Sequence, residues 1–318
     1  LNPSSNSSSF AIPAGLLTKR ILITGASGFV GEHLTRFLAE GGCTSVLGTT
    51  YTRSIECPAA QFVTVDLRDP GAVNRLMRDY RPEVVFHCAA VTNTGFCEQE
   101  PESAHAGIVV VTQNLVAGMA KYSPDCGCVA LSTDLVFDGM HAPYREEDAV
   151  CPLGEYARLK AEAEAILLQS EGWKVIRPAL IYGLPATNGA SFLGWMVSTL
   201  VQGNPLGLFT DEFRTPVYVM DLIQAMCLFA VHEGPERLLH VAGESRVSRW
   251  EMGEAVCREF DLPENLLVAT TLQEKNLRHL RPADVSLNTW LLQQTLGLQP
   301  RSFQSGIHTV HFALKQGL

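Results

Sequence analysis

Apolar positions along this chain follow two alternating rhythms between Leu16 and Gly183. Short unbroken runs rich in valine and isoleucine (RILIT, TSVLGTTY, QFVTVDL, EVVFHCAA, CVALST and WKVIRPALIYG) read as strands buried on both faces. Between them, apolar residues return at helical spacing, which predicts helices over Gly31–Glu40, Asp69–Tyr80, Glu102–Lys121 and Tyr156–Glu171. Such alternation predicts an α/β fold, a doubly wound parallel sheet covered by helices on both sides. After Gly183 the rhythm loosens, with Pro185, Gly189, Gly203, Pro205 and Gly207 marking loops. A first domain is therefore expected over 16–183 and a smaller C-terminal one over 184–318. The two are partly interleaved, because RTPVYVMDLIQAMCLFAV is apolar enough to return 217–241 to the first. Residues 1–15, LNPSSNSSSFAIPAG, are expected to form a flexible tail. They carry neither the charged nor the apolar region of a secretory signal, and the missing initiator methionine leaves open what preceded Leu1.

The first strand runs straight into Gly25-Ala-Ser-Gly28-Phe-Val-Gly31, and EHLTRFLAEGG follows, with Leu34, Phe37 and Leu38 at helical spacing. Strand, glycine turn and helix in that order are the context of a dinucleotide-binding, Rossmann-type fold. The first glycines permit a tight turn and close approach of a pyrophosphate; Gly31 lets the helix lie against the strand. The helix N-terminus adds free N–H groups and a positive dipole end. A lone glycine turn could also be a simple helix cap. Its place directly after the first strand favours binding.

Thr133 ends the run CVALST, and Tyr156 and Lys160 open the helical run PLGEYARLKAEAEAILL. Tyrosine and lysine at this spacing share one helix face. A phenol ordinarily has a pKa of about 10, and a neighbouring ammonium favours the phenolate, moving the group toward working pH. Thr133 adds a hydroxyl able to hold a substrate oxygen beside that phenol. Any amphipathic helix can carry such a pair, so its meaning depends on the glycine turn upstream.

With 318 residues, 46% hydrophobic and 18% charged, the chain is globular and can hold one large or two modest domains. A net charge of −9 without a basic run argues against nucleic acid. No apolar stretch reaches the roughly 18–20 residues that span a bilayer, so no membrane partner is expected. Nine scattered cysteines without a CxxC pair fit reduced thiols in the cytoplasm and no metal site. His87, inside VVFHCAA, reads as a packed strand residue.

TGASGFVG, VDLRD, FHCAA, STDLVFDG, PYREED, PLGEYARLK, RPALIYG and RTPVYVMDL occur in an order that resembles the extended short-chain dehydrogenase/reductases. The likeness covers nearly the whole chain and is closest to the dTDP-4-dehydrorhamnose reductase branch, which includes the regulatory beta subunit of methionine adenosyltransferase. It implies a reductase in which nicotinamide delivers hydride and Tyr156 hands a proton to the carbonyl oxygen. Lys160 would hold the ribose hydroxyls and depress the phenol pKa, and Thr133 would steady the oxygen. Gly25, Ser27, Gly28, Phe29, Val30 and Gly31 would line the pyrophosphate. Asp66 and Leu67 would flank the adenine, and Ala89 and Ala90 would leave room beside the nicotinamide ribose.

The end of strand two, GTTYTRS, has no acidic residue before Glu56 and offers Arg53, which points to NADP(H), with NAD(H) possible. The implied substrate is a small molecule, a keto-sugar nucleotide. Tyr144 and Arg214 are its candidate contacts, with Arg145 and Arg281 in similar segments; Glu146 and Glu147 read as a solvated turn. Four positions depart from the family pattern: Ile108 where asparagine is usual, Gly154 and Ala157 around the tyrosine, and Gly95 in place of an aspartate. They keep a second reading open, a dinucleotide-binding regulatory subunit of a partner enzyme. The helices over 102–121 and 156–171 could form the face of a homodimer.

Overall fold

The computed structural model describes residues 10–187 and 191–316. The first nine residues of the expected flexible tail, and Gly189 among the loop markers, lie outside the described residues. From Phe10 the segment is packed instead of loose. The Phe10 ring stacks on Phe37 at 4.4 Å between centroids, and Leu16 is buried in a 3-10 turn, because FAI and GLL are apolar enough to cover a helix.

The first half runs β1 (Arg20–Thr24), α1 (Phe29–Glu40), β2 (Ser45–Thr50), β3 (Gln61–Thr64), α2 (Pro70–Tyr80), β4 (Val84–His87), α3 (Thr94–Gln99) and α4 (Pro101–His105). A π turn at Ala106–Val110 continues α4 into α5 (Val111–Tyr122), followed by β5 (Gly127–Leu131), α6 (Glu155–Gln169) and β6 (Trp173–Pro178). Next come β7 (Ile181–Tyr182), α7 (Phe192–Val201), β8 (Leu206–Phe209), β9 (Phe213–Arg214), β10 (Val217–Tyr218), α8 (Val219–Val231) and β11 (Leu238–Val241). The chain closes with β12 (Val247–Ser248), α9 (Arg249–Phe260), β13 (Leu267–Thr270), α10 (Trp290–Leu296) and α11 (Phe303–Lys315).

Seven strands form one parallel sheet in the order β11-β6-β5-β4-β1-β2-β3. Val46 of β2 and Val84 of β4 flank Ile21 of β1. On one face Leu34 and Leu38 of α1 meet Leu222, Met226 and Phe229 of α8; on the other, Val73, Met77, Leu115, Met119 and Leu167 line the core. Strand order reverses between β1 and β4, and a crevice opens there beyond their C-terminal ends, where open α/β sheets bind ligands.

Two sequence expectations change. WKVIRPALIYG is not one strand: β6 ends at Pro178, and β7 leaves the main sheet to pair with β10. In addition, the continuous helix Pro101–Tyr122 is 22 residues long with a hydropathy of 1.2, so by length and composition it could cross a membrane. Its Ile108, Val109, Leu115 and Met119 are buried in the protein core, and a helix packed into a layer has a wide apolar arc for that reason.

The C-terminal portion packs α7, α9 and α11 with the parallel pair β8–β13 around Leu193, Met196, Leu208, Met252, Val256 and Ile307. A capping box starts α9: Ser248 accepts the Glu251 N–H at 3.1 Å, and Glu251 accepts the Ser248 N–H at 2.6 Å. That cap places Arg249 at the helix start, where it faces the crevice.

Candidate active site

At the crevice Gly25 adopts φ +66°, and a Cβ there would lie 2.7 Å from the Ala89 Cα. A Cβ on Gly31 would lie 2.2 Å from the Gly25 carbonyl oxygen. Gly31 therefore seats the helix on the turn itself, one step earlier than the strand contact expected. The Gly28 N–H donates to the Gly25 carbonyl at 2.9 Å, and no side chain caps α1. The first N–H groups of α1 are left for an external anion, so the turn fits a dinucleotide pyrophosphate. Gly31→Ala is expected to weaken dinucleotide binding by roughly a hundredfold, since overpacking of this kind costs about 1–3 kcal/mol. Calorimetric titration with NADPH checks this, and binding within twofold of the parent would show that the turn is not the cradle.

A cavity of about 680 Å³ opens from this turn into the C-terminal portion. Gly28, Phe29, Val30, Gly31, Ala89, Ala90, Thr133, Tyr156, Lys160 and Arg214 all line it. Ten expected residues, separated by up to 186 positions (214 minus 28), thus share one space. Gly25 and Ser27 belong to the same turn but lie behind its cavity face. The Arg53 guanidinium donates to the Ser27 carbonyl, so its charge stands beside the glycine turn on the solvent side.

Lys160 is buried, and its ammonium donates to the Leu131 carbonyl at 2.6 Å. Burial holds its pKa down to about 8, against the pull of Glu164 and Cys88. The Tyr156 phenol is raised above its ordinary value, first by burial, while a hydrogen bond with Thr133 pulls the other way. The expected lowering by Lys160 is therefore corrected: the ammonium is turned onto the end of β5, and burial dominates the phenol. His87 is buried as expected yet also reaches the cavity. Its ring nitrogens contact Thr24 Oγ1 at 2.7 Å and Thr112 Oγ1 at 3.3 Å, and burial lowers its pKa to about 3. Ile108, at the asparagine position, is itself buried and accepts the Thr112 hydroxyl at 2.7 Å through its carbonyl.

Tyr144 does not reach the cavity. Its ring stacks on Phe137 at 4.1 Å, and its phenol donates to Asp138 at 2.6 Å while accepting the Met140 and His141 N–H groups. Its phenol is satisfied inside this loop, so it holds the loop and not a substrate. Asp66 and Leu67 also lie off the cavity. Asp66 pairs with Arg68 at 2.7 Å, and the Leu67 side chain is buried in the core. Glu147 is exposed as expected, but Glu146 accepts the His240 N–H at 2.8 Å and is half-buried, because β11 passes over that turn.

Arg214 stands in the cavity wall with its guanidinium already engaged. It bonds Glu212 at 2.8 Å and the Phe213 carbonyl at 2.7 Å, and its side chain is 2% exposed. Glu212 is fully buried and also takes Arg249 at 3.0 Å and Arg281 at 2.9 Å. Burial pushes this carboxylate up, but three guanidiniums outweigh it and hold its pKa down to about 2. Arg281 is the most exposed of the three, at 34%. Glu212 and Arg249 carried no signal in the sequence. Glu98 was missed as well; it lines the cavity and accepts the Glu155 N–H at 2.6 Å, so that it caps α6.

A sheet with a dinucleotide turn at its reversal point, opening on Thr133, Tyr156 and Lys160, defines an extended short-chain dehydrogenase/reductase, a class of NAD(P)-dependent oxidoreductases. Residues 19–315 match the model of the RmlD substrate binding domain family, and the chain belongs to that family. It is similar to methionine adenosyltransferase 2 subunit beta of Xenopus tropicalis, at 31% identity over 78% of this chain and 74% of that protein. It is also similar to dTDP-4-dehydrorhamnose reductase of Aggregatibacter actinomycetemcomitans, at 28% identity over 92% of this chain and 98% of that protein. Among solved structures, dTDP-4-dehydrorhamnose reductase of Bacillus anthracis in complex with NADP superposes with a TM-score of 0.81. That match has 20% identity and covers 93% of this chain and 99% of that one, a likeness of fold.

Proposed function

We propose that this protein reduces the ketone of a keto-sugar nucleotide, of the dTDP-4-dehydrorhamnose kind, using NADPH. The observation that carries this reading is the shared cavity, lined by the glycine turn, by Thr133 and Tyr156, and by Arg214, Arg249 and Arg281. The free N–H groups of the glycine turn would hold the pyrophosphate and Arg53 the additional ribose phosphate. Ala89 and Ala90 leave the space beside the ribose unfilled, and Lys160 would bind its hydroxyls. Reduced nicotinamide supplies the hydride. Tyr156, kept protonated at neutral pH by its raised pKa, gives its proton to the developing alkoxide, and Thr133 holds the same oxygen. Arg281 and Arg249 are better placed than Arg214 for the anionic end of the substrate, since all three bond Glu212 but the Arg281 and Arg249 side chains are 34% and 11% exposed against 2% for Arg214.

NADPH oxidation measured across a panel of keto-sugar nucleotides tests this reading. The 31% identity to methionine adenosyltransferase 2 subunit beta favours a second one, a dinucleotide-binding subunit docked on a partner enzyme. No turnover with any ketone, together with a stable co-purifying enzyme, would replace the first reading by the second. Arg53→Ala is expected to raise the NADPH Kd about tenfold and leave NADH unchanged, because a charge-assisted hydrogen bond contributes about 1.5–3 kcal/mol. Equal NADPH affinity in the variant would remove Arg53 from the cofactor site.

A further inference from the structure

Thr133 has one proton to donate and two lone pairs. Its Oγ1 accepts the Leu135 N–H at 3.3 Å and lies 3.3 Å from Asp134 Oδ1, and the Tyr156 phenol is its third neighbour. Leu135 fills one lone pair, so the state of Asp134 decides where the threonine proton points. A carboxylate only accepts; it takes that proton and leaves Thr133 offering the cavity a lone pair. A carboxylic acid donates its own O–H to the second lone pair of Thr133. The threonine proton then turns toward the phenol and the substrate oxygen.

The surroundings favour the acid. Asp134 is 4% exposed, and its Oδ2 has no hydrogen-bond partner among the described residues. The cation beside that oxygen is Arg214, whose Nε stands 3.7 Å away and whose other nitrogens serve Glu212 and the Phe213 and Pro282 carbonyls. An ionised oxygen left bare in the interior is costly. Arg214 of β9 and Arg249 of α9 pull toward the carboxylate, Glu212 pushes against it, and the Tyr156 phenol of α6 adds no charge while protonated. Burial is the largest influence, and it raises the Asp134 pKa.

We propose that Asp134 is a positioning residue that works as a neutral carboxylic acid, turning the Thr133 proton toward the reacting carbonyl oxygen. This rests on the reductase reading above. As hydride adds to the carbonyl carbon, the C=O π pair moves onto oxygen, which takes the Tyr156 proton. Thr133 stabilises first the alkoxide and then the phenolate, which recovers a proton from water. Asp134 keeps its proton throughout, and in its neutral form it removes a charge that would push the phenol pKa up.

The test compares Asp134→Ala with Asp134→Asn, whose amide can donate to Thr133 but cannot ionise. Asp134→Ala is expected to lower kcat by roughly a hundredfold with little change in KM, the size of one lost donor to an oxyanion. Asp134→Asn is expected to restore kcat to within about tenfold of the parent. A raised pKa means that the acid is present at lower pH and is lost as pH rises through it. The parent's kcat should therefore fall on the alkaline side of that ionisation, and this limb should be missing in Asp134→Asn. An asparagine variant as poor as alanine, or one that keeps the limb, overturns the proposal. Infrared difference spectra, parent minus Asp134→Asn at neutral pH, need no turnover. A carboxylic-acid carbonyl band is expected, and carboxylate bands instead would refute the neutral acid whatever the enzyme reduces. A parent that shows the acid band but reduces no ketone would sink the reductase reading alone.

Discussion

Tyr156→Phe is expected to cut turnover by roughly a thousandfold while leaving NADPH affinity within about threefold, because a positioned general acid contributes about 10²–10⁴ in rate. Phenylalanine fills the same space. The ring packs against the cluster of Ile108, Leu159 and Ala163, so the helix and its Lys160 stay in place. What disappears is a single O–H whose pKa is raised by burial and which is therefore loaded with its proton at neutral pH. Single-turnover NADPH oxidation gives the chemical step, and a fluorescence titration gives the affinity. A variant that keeps more than about a tenth of the parental rate would take the proton donor's role from Tyr156.

Glu212→Gln is expected to destabilise the protein by about 3–5 kcal/mol at neutral pH, a fall of roughly 5–10 °C in Tm. The glutamine fits, but it removes the one charge that Arg214, Arg249 and Arg281 all share, and leaves three guanidiniums facing each other across a buried site. The effect should depend on pH with a definite sign. The folded-state pKa of Glu212 is about 2, below its ordinary value of about 4.3. Its contribution is therefore complete above the ordinary value and is lost as pH falls toward 2. The gap between parent and variant should narrow from pH 7 to pH 3. Thermal melts at both values check this. A gap that is absent at pH 7, or that widens in acid, would mean that the cluster gives no net stability.

Much of the sheet was legible because its signal is local. RILIT, QFVTVDL and EVVFHCAA announce strands by unbroken apolar runs, and the glycine turn announces the crevice by its place after the first of them. The strand Leu238–Val241 was not recognised as a strand. Tyr144 misled because a tyrosine in a family segment looks the same whether its phenol faces a ligand or a neighbouring aspartate. Its stack on Phe137 is what decided the matter.

The primary structure by itself determined the alternation of strand and helix, the glycine turn and the pairing of Tyr156 with Lys160 on one helix. Each of these depends on residues within a few positions of one another. Only the tertiary structure decided that Lys160 turns to Leu131, that Arg214 is spent on Glu212, and that Asp134 lies bare behind Thr133. Glu212 and Arg281 are 69 positions apart, and their meeting depends on how the C-terminal portion folds over the crevice. Charge and burial act through space, so the same carboxylate is an ordinary acid along the chain and a buried anchor in the fold.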